Sequence, residues 1–135
     1  MIGLWCPSVF LLSAQYSRLG GMKHAFQIIF LNSSMPPVAY VYILTNKYHT
    51  VLYVGMTTDL RTRIWEHQTK RHPAGFSARY NVIKPIFYEP HHTQEEAIER
   101  ELFIKGKTRK WKEALIISKN PTWNDLTEDI MSMNP

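Results

Sequence analysis

Two short runs, Tyr40-Val-Tyr-Ile-Leu44 and Val51-Leu-Tyr-Val-Gly55, constrain the fold of this chain more than any other feature. Both are rich in β-branched and aromatic residues, which suit a pleated, half-buried strand surface. The polar residues Asn46 to Thr50 separate them, so the pair predicts an antiparallel hairpin. Thr57-Thr58-Asp59 then offers helix caps, and a helix is expected through Arg71 with Leu60 and Ile64 on one face. His72-Pro73-Ala74-Gly75 stops it. A third strand is expected over Ile83 to Glu89. Thr93, with Glu96 three residues on, is a capping box opening a helix to Lys105. Gly106 ends that helix, Thr108 or Arg109 starts another through Lys119, and Asn120-Pro121 precedes a short acidic helix near Asp125 to Met131. The order β-β-α-β-α-α predicts an α+β domain, a small three-stranded antiparallel sheet flanked by helices.

That punctuation begins at residue 38. Residues 1 to 37 carry only Arg18 and Lys23 as basic residues and no acid, show no sustained period, and are broken by Gly20-Gly21. They are expected to form a poorly ordered tail or an upstream extension, with Met35 a natural first residue and the domain spanning 38 to 131. An added strand or helix near Ala25 to Leu31 is the less favoured alternative. The 135 residues point to one domain, and 44% hydrophobic against 20% charged residues excludes a disordered chain. A single cysteine, Cys6, rules out an intramolecular disulfide and a cysteine-built zinc site, and it is compatible with a reducing, cytoplasmic compartment. No apolar run approaches the ~18 residues of a membrane span. The net charge of +5 favours polyanionic partners weakly.

Glu101 is the most informative single position. On a helical wheel Ala97, Ile98, Leu102 and Ile104 define an apolar arc, and Glu101 falls inside it. An inward carboxylate needs a cationic partner. Lys105, one turn on, would be an ordinary one, and helical geometry alone slightly favours it; a metal ion is the sharper option. Arg63 and His67 share a side of the first helix beside Leu60 and Ile64. They suit phosphate clamping and proton relay, or simply a polar surface with Arg63 paired to Asp59 or Glu66. Arg61, Lys70 and Arg71 read as a solvated, phosphate-friendly face. Tyr42 and Tyr53 lie on paired strands, where packing is the plain account and water activation the functional one. Gly55 reads as a turn or bulge residue, or as room for a phosphate. Lys105, Lys107, Arg109, Lys110 and Lys112 make a basic cluster; Trp65, Trp111 and Trp123 are base-stacking candidates, more often core. His91-His92 has no ligand-spaced companion.

The ordered set Tyr40-Val41-Tyr42, Tyr53-Val54-Gly55, Arg63, Glu101 and Asn120 resembles the GIY-YIG nuclease pattern, most closely the small stand-alone bacterial members related to the nuclease module of the excision-repair endonuclease. Arg63 follows Gly55 by eight residues, as in the family, and Ala97 to Lys105 is similar to the family's metal-ligand helix. The likeness covers about residues 38 to 130. Tyr40 stands in place of the first Gly, Met56 where some members have Lys, and His67 where the repair enzymes have Tyr.

What the resemblance implies is an endonuclease that hydrolyses phosphodiester bonds with one Mg²⁺ or Mn²⁺ on Glu101 and no other cofactor. DNA is favoured over RNA, with repair or recombination as the setting. Arg63 would neutralise the phosphate, Tyr42 or His67 would be the base, and Tyr53 would orient the water. Gly55, Arg61, Lys105 and Asn120 would bind substrate, Asn120 by bridging phosphate or backbone to fix the site. The main rival is a catalytically weak nucleic-acid-binding module on the same scaffold; a protein-interaction domain using the aromatic surface is a third reading.

Overall fold

The computed structural model describes residues 35–134, so expectations for residues 1 to 34 lie outside the described part. The hairpin forms as expected, from β1 (Ala39–Thr45) and β2 (Leu52–Thr57), with Tyr42 opposite Gly55 and Leu44 opposite Tyr53. In its turn the Asn46 side-chain oxygen accepts from the Thr50 N–H at 2.9 Å, and His49 takes the left-handed φ of 56°. Across the turn, the Arg109 guanidinium donates to the carbonyls of His49 and Thr50. β3 (Lys84–His91) adds antiparallel to β1, giving the order β2-β1-β3. It runs two residues past the expected Glu89, through Pro90. A proline there, and another at Pro85 beside a bulge, are tolerated because β3 is an edge strand.

Helices follow their caps. α1 (Leu60–Gln68) starts at Asp59, whose carboxylate accepts from the Thr62 N–H at 3.0 Å. It ends three residues before the expected Arg71. Lys70 adopts a φ of 53°, the Arg71 N–H reaches back to the Glu66 carbonyl at 3.0 Å, and the Lys70 N–H to that of His67. That is a Schellman ending without the usual glycine, so nothing in the sequence announces it. The following segment contains a short helix that the sequence does not lead one to expect, α2 (Phe76–Arg79), closed in the same way at Asn81. α3 (Gln94–Lys105), α4 (Arg109–Lys119) and α5 (Thr127–Ser132) fall close to expectation, with Thr93 and Thr108 as the N-caps of α3 and α4.

Strand alternation divides the core into two layers. Ala39, Val41, Ile43 and Val54 face α3 and α4, joining Ala97, Ile104 and Ile116. Tyr42 and Leu44 face the other way, onto Leu60 and Ile64 of α1 and Ile130 of α5. The expected apolar arc of α3 needs correction. Ile98 and Leu102 are exposed, Leu102 by 62%, and the buried stripe is the narrower Ala97 and Ile104. Glu101 lies one turn from each on that stripe, so it faces inward although two residues used to define the arc do not. Among the described residues, no helix is long and apolar enough to cross a membrane.

Candidate functional site

The sheet face covered by α1 gathers four of the expected residues. Tyr42 is central and only 1% exposed. Its phenolic oxygen accepts from the Arg63 Nε at 3.3 Å and lies 3.0 Å from the His67 Nε2. On its other side, the His67 Nδ1 is 2.8 Å from the Ser77 hydroxyl. Arg63, Tyr42, His67 and Ser77 are thus one continuous chain of hydrogen bonds, and both imidazole nitrogens are engaged. Tyr53 closes the group, with its ring centroid 6.3 Å from Tyr42 and 5.3 Å from His67. The chain is assembled by periodicity: Arg63 and His67 share a face of α1, while Tyr42 and Tyr53 alternate onto the same side of the sheet.

Electrostatics follow from this packing. Burial pushes the Tyr42 phenol well above its ordinary range, against the opposing pull of Arg63. Burial, reinforced by the Arg63 charge, lowers His67 from 6.5 to about 4, so the imidazole is neutral near pH 7. Partial burial works against the Arg63 charge, but hydrogen bonds to Tyr42 and Glu66 outweigh it and raise its pKa. Glu66 holds the guanidinium at 2.9 Å, the ordinary helix pair that the sequence offers as the plain alternative.

Tyr53, Arg63 and His67 line an open cleft of about 200 Å³ together with Glu66, Lys70, His72 and Phe76. Tyr42 is not in its lining; it supports the residues that are. In the sequence the segment from His72 to Ser77 reads only as a helix stop, and its site residues escape notice. Ser77, ten residues from His67, is recognisable only once α2 is seen to fold back onto α1.

Other expected residues lie elsewhere. Gly55 is neither turn nor bulge. It sits mid-strand, where an added Cβ would meet the Tyr42 hydroxyl at 2.5 Å, so its missing side chain makes room for a phenol rather than a phosphate. Asn120 is buried and spent on backbone: its amide donates to the Ile86 and Asn124 carbonyls and accepts from the Asn124 N–H. It ties the end of α4 to β3 and has no place in the cleft lining. Arg61 is exposed and reaches the Met133 carbonyl at 3.4 Å. Lys105 bonds Glu101 at 2.9 Å, the ordinary i,i+4 partner.

Glu101 keeps only 16% of its side chain exposed, on the helix that lies over the opposite face of β1 and β2. Among the described residues, no hydrogen bond or ion pair joins it to the Tyr42 chain. Nor do three or more His, Cys, Asp or Glu gather anywhere among them as a cage for a metal ion. A single carboxylate does fit Mg²⁺, which keeps most of its water and commonly takes one or two protein carboxylates.

The cleft joins a phenol, a guanidinium and a neutral imidazole on a small α+β scaffold. Residues 38–114 match the GIY-YIG catalytic domain, and the chain belongs to the GIY-YIG family. It is similar to a UPF0213 protein of Clostridium perfringens, 39% identical over 85 residues that span 60% of this chain and 85% of the relative. A UPF0213 protein of Streptococcus agalactiae is 36% identical over 74 residues, 55% of this chain and 82% of its own. The solution structure of a UPF0213 protein from Bacillus halodurans is 28% identical and covers 71% of this chain and 98% of its own, with a TM-score of 0.44.

Proposed function

We propose that this domain is an endonuclease hydrolysing phosphodiester bonds in DNA with Mg²⁺ or Mn²⁺ held by Glu101, in repair or recombination. The observation that carries the reading is the convergence of Tyr53, Arg63 and His67 on one open cleft, braced from behind by Tyr42. In it, Arg63 neutralises the scissile phosphate, turning from Glu66 toward the phosphate oxygens as negative charge builds on them in the transition state. Tyr53 faces the cleft and orients the attacking water. Water oxygen bonds to phosphorus as the bond to the leaving sugar oxygen breaks, so a proton must leave the water. Of the two bases the sequence offers, His67 is the one at the cleft. With both nitrogens engaged, it takes the proton through the Ser77 hydroxyl, which gives its own proton to Nδ1 as it accepts the water's. The imidazole is neutral near pH 7, whereas burial resists conversion of Tyr42 to phenolate. When bound, the metal supplies Lewis-acid stabilisation of developing charge on the phosphate and leaving oxygen. Glu101 stands on α3, which packs against β1 and β2 from the face opposite the cleft, and β2 is an edge strand. The domain spans 38 to 131, with the preceding residues outside it.

One observation favours the rival reading of a catalytically weak binding module: Arg63 and Glu101 each already hold a partner on their own helix. Turnover decides between them. Wild-type protein should nick single-stranded, flapped or branched DNA only with Mg²⁺ or Mn²⁺, and Glu101→Ala should abolish cleavage while keeping the fold. Undiminished cutting by that variant sinks the metal assignment, and binding without metal-dependent nicking of any substrate sinks the enzyme.

A further inference from the structure

Phe76 lines the cleft and Tyr80 packs against Phe76, each about half exposed, at 49% and 47%. Neither needs to be exposed for the fold, since neither joins the two core clusters. Their spacing puts them on one side of the turn formed by α2, with centroids 4.6 Å apart. Phe76 in turn lies near-parallel to Tyr53, at 6.2 Å and 26°. Tyr53, Phe76 and Tyr80 are therefore a continuous aromatic ladder leading from the cleft wall outward. Exposed rings in series, joined to a site, mark a surface awaiting a ligand.

Charge identifies the ligand's chemistry. The cleft that the ladder leads from is lined by Arg63, Lys70 and His72 against one acid, Glu66. A polyanion that also offers planar aromatic faces is a nucleic acid with unpaired bases. Duplex DNA presents phosphates but hides its base faces in the stack, so it can use the cations and not the ladder.

We propose that Phe76 and Tyr80 are a stacking platform for an unpaired base flanking the scissile phosphate, and that they make the site selective for single-stranded or flapped DNA. This rests on the nuclease reading above and names its substrate class. Stacking is sequence-tolerant, so the platform selects strand state and not base identity.

The test measures metal-free binding of the full chain by fluorescence anisotropy, using a single-stranded oligodeoxynucleotide and its blunt duplex. Phe76→Leu and Tyr80→Leu keep apolar bulk and remove the π face. Together they should weaken single-strand binding between about 5-fold and about 150-fold, the range for one base's stacking, and leave duplex binding unchanged. Phe76→Trp should restore it. Equal losses on both DNAs, no loss on either, or Phe76→Trp binding the single strand no better than Phe76→Leu overturns the proposal. Because no metal is present, failure of catalysis leaves this readout intact. A nuclease that cuts normally but ignores the double leucine variant refutes the platform alone.

Discussion

Gly55→Ala isolates the feature that organises the site, the contact between β2 and the Tyr42 phenol. The new Cβ would stand 2.5 Å from the Tyr42 hydroxyl and 2.6 Å from its Cζ. Carbon contacts are comfortable at about 3.5–4.0 Å, so the ring must retreat by about 1 Å. Tyr42 is fully buried, and a retreat of that size pulls its oxygen from the Arg63 and His67 nitrogens, now at 3.3 and 3.0 Å. Overpacking of this kind costs about 1–3 kcal/mol, and each hydrogen bond lost about 0.5–1.5 kcal/mol. Against that, replacing glycine by alanine inside a strand is worth about 0.5–1 kcal/mol in the favourable direction. The net expectation is a destabilisation of about 3 kcal/mol, which for a domain of this size lowers Tm by roughly 10–25 °C. Urea denaturation measures it, and a double-mutant cycle assigns it. In a Tyr42→Leu background the side chain no longer reaches Gly55, so the same substitution should become neutral or mildly stabilising. A neutral Gly55→Ala in the wild-type protein, or an equal cost in both backgrounds, refutes the packing account of this glycine.

Two further outcomes follow from the same geometry. The folded-state pKa of His67 is depressed to about 4 from an unfolded value near 6.5, so the unfolded chain binds the extra proton first. Its contribution to stability is therefore complete above about pH 6.5 and is lost as pH falls toward 4, by up to about 3 kcal/mol. Denaturant midpoints measured across that window should fall more steeply for wild type than for His67→Gln, and parallel curves would contradict the buried, neutral imidazole. Asn120→Ala strips partners from the Ile86 and Asn124 backbone groups and should cost about 2–4 kcal/mol in chemical denaturation. Below its melting temperature the variant should cut DNA with an unchanged KM; a raised KM at unchanged stability would return Asn120 to the substrate.

The parts of the fold legible in the sequence are those set by local chemistry. Alternating β-branched and aromatic residues mark the hairpin, and Asp59, Thr93 and Thr108 mark helix starts because a capping side chain acts within its own turn. Helix ends are harder. α1 and α2 both close through left-handed Lys70 and Asn81, and lysine at such a position carries no compositional signal. Without that ending the return of α2 to α1 is invisible, and with it Ser77 and the aromatic step of Phe76 and Tyr80. Motif order finds Tyr42, Tyr53, Arg63 and His67, which do meet. It leaves the partner of Asn120 open between phosphate and backbone, since order along the chain says nothing about which backbone groups a buried amide must satisfy. Gly55 stands out for the right reason, close approach, but the approaching group is another side chain.

Tyr42 shows why a motif tyrosine and a reacting tyrosine need not be the same residue. A phenol that must shed a proton gains from water and a nearby cation; this one has the cation but is sealed from the cleft, and burial outweighs Arg63. Its oxygen instead fixes two directions at once, accepting from Arg63 and meeting His67, so that moving it disturbs both. Tyr53, one strand over and lining the cleft, has the access that Tyr42 lacks. The division follows from register alone: Tyr42 opposite Gly55 can sink into the space a missing side chain leaves, whereas Tyr53 opposite Leu44 has a full side chain beside it and stays partly exposed. One absent Cβ on β2 therefore separates the tyrosine buried among Arg63 and His67 from the tyrosine that faces the cleft.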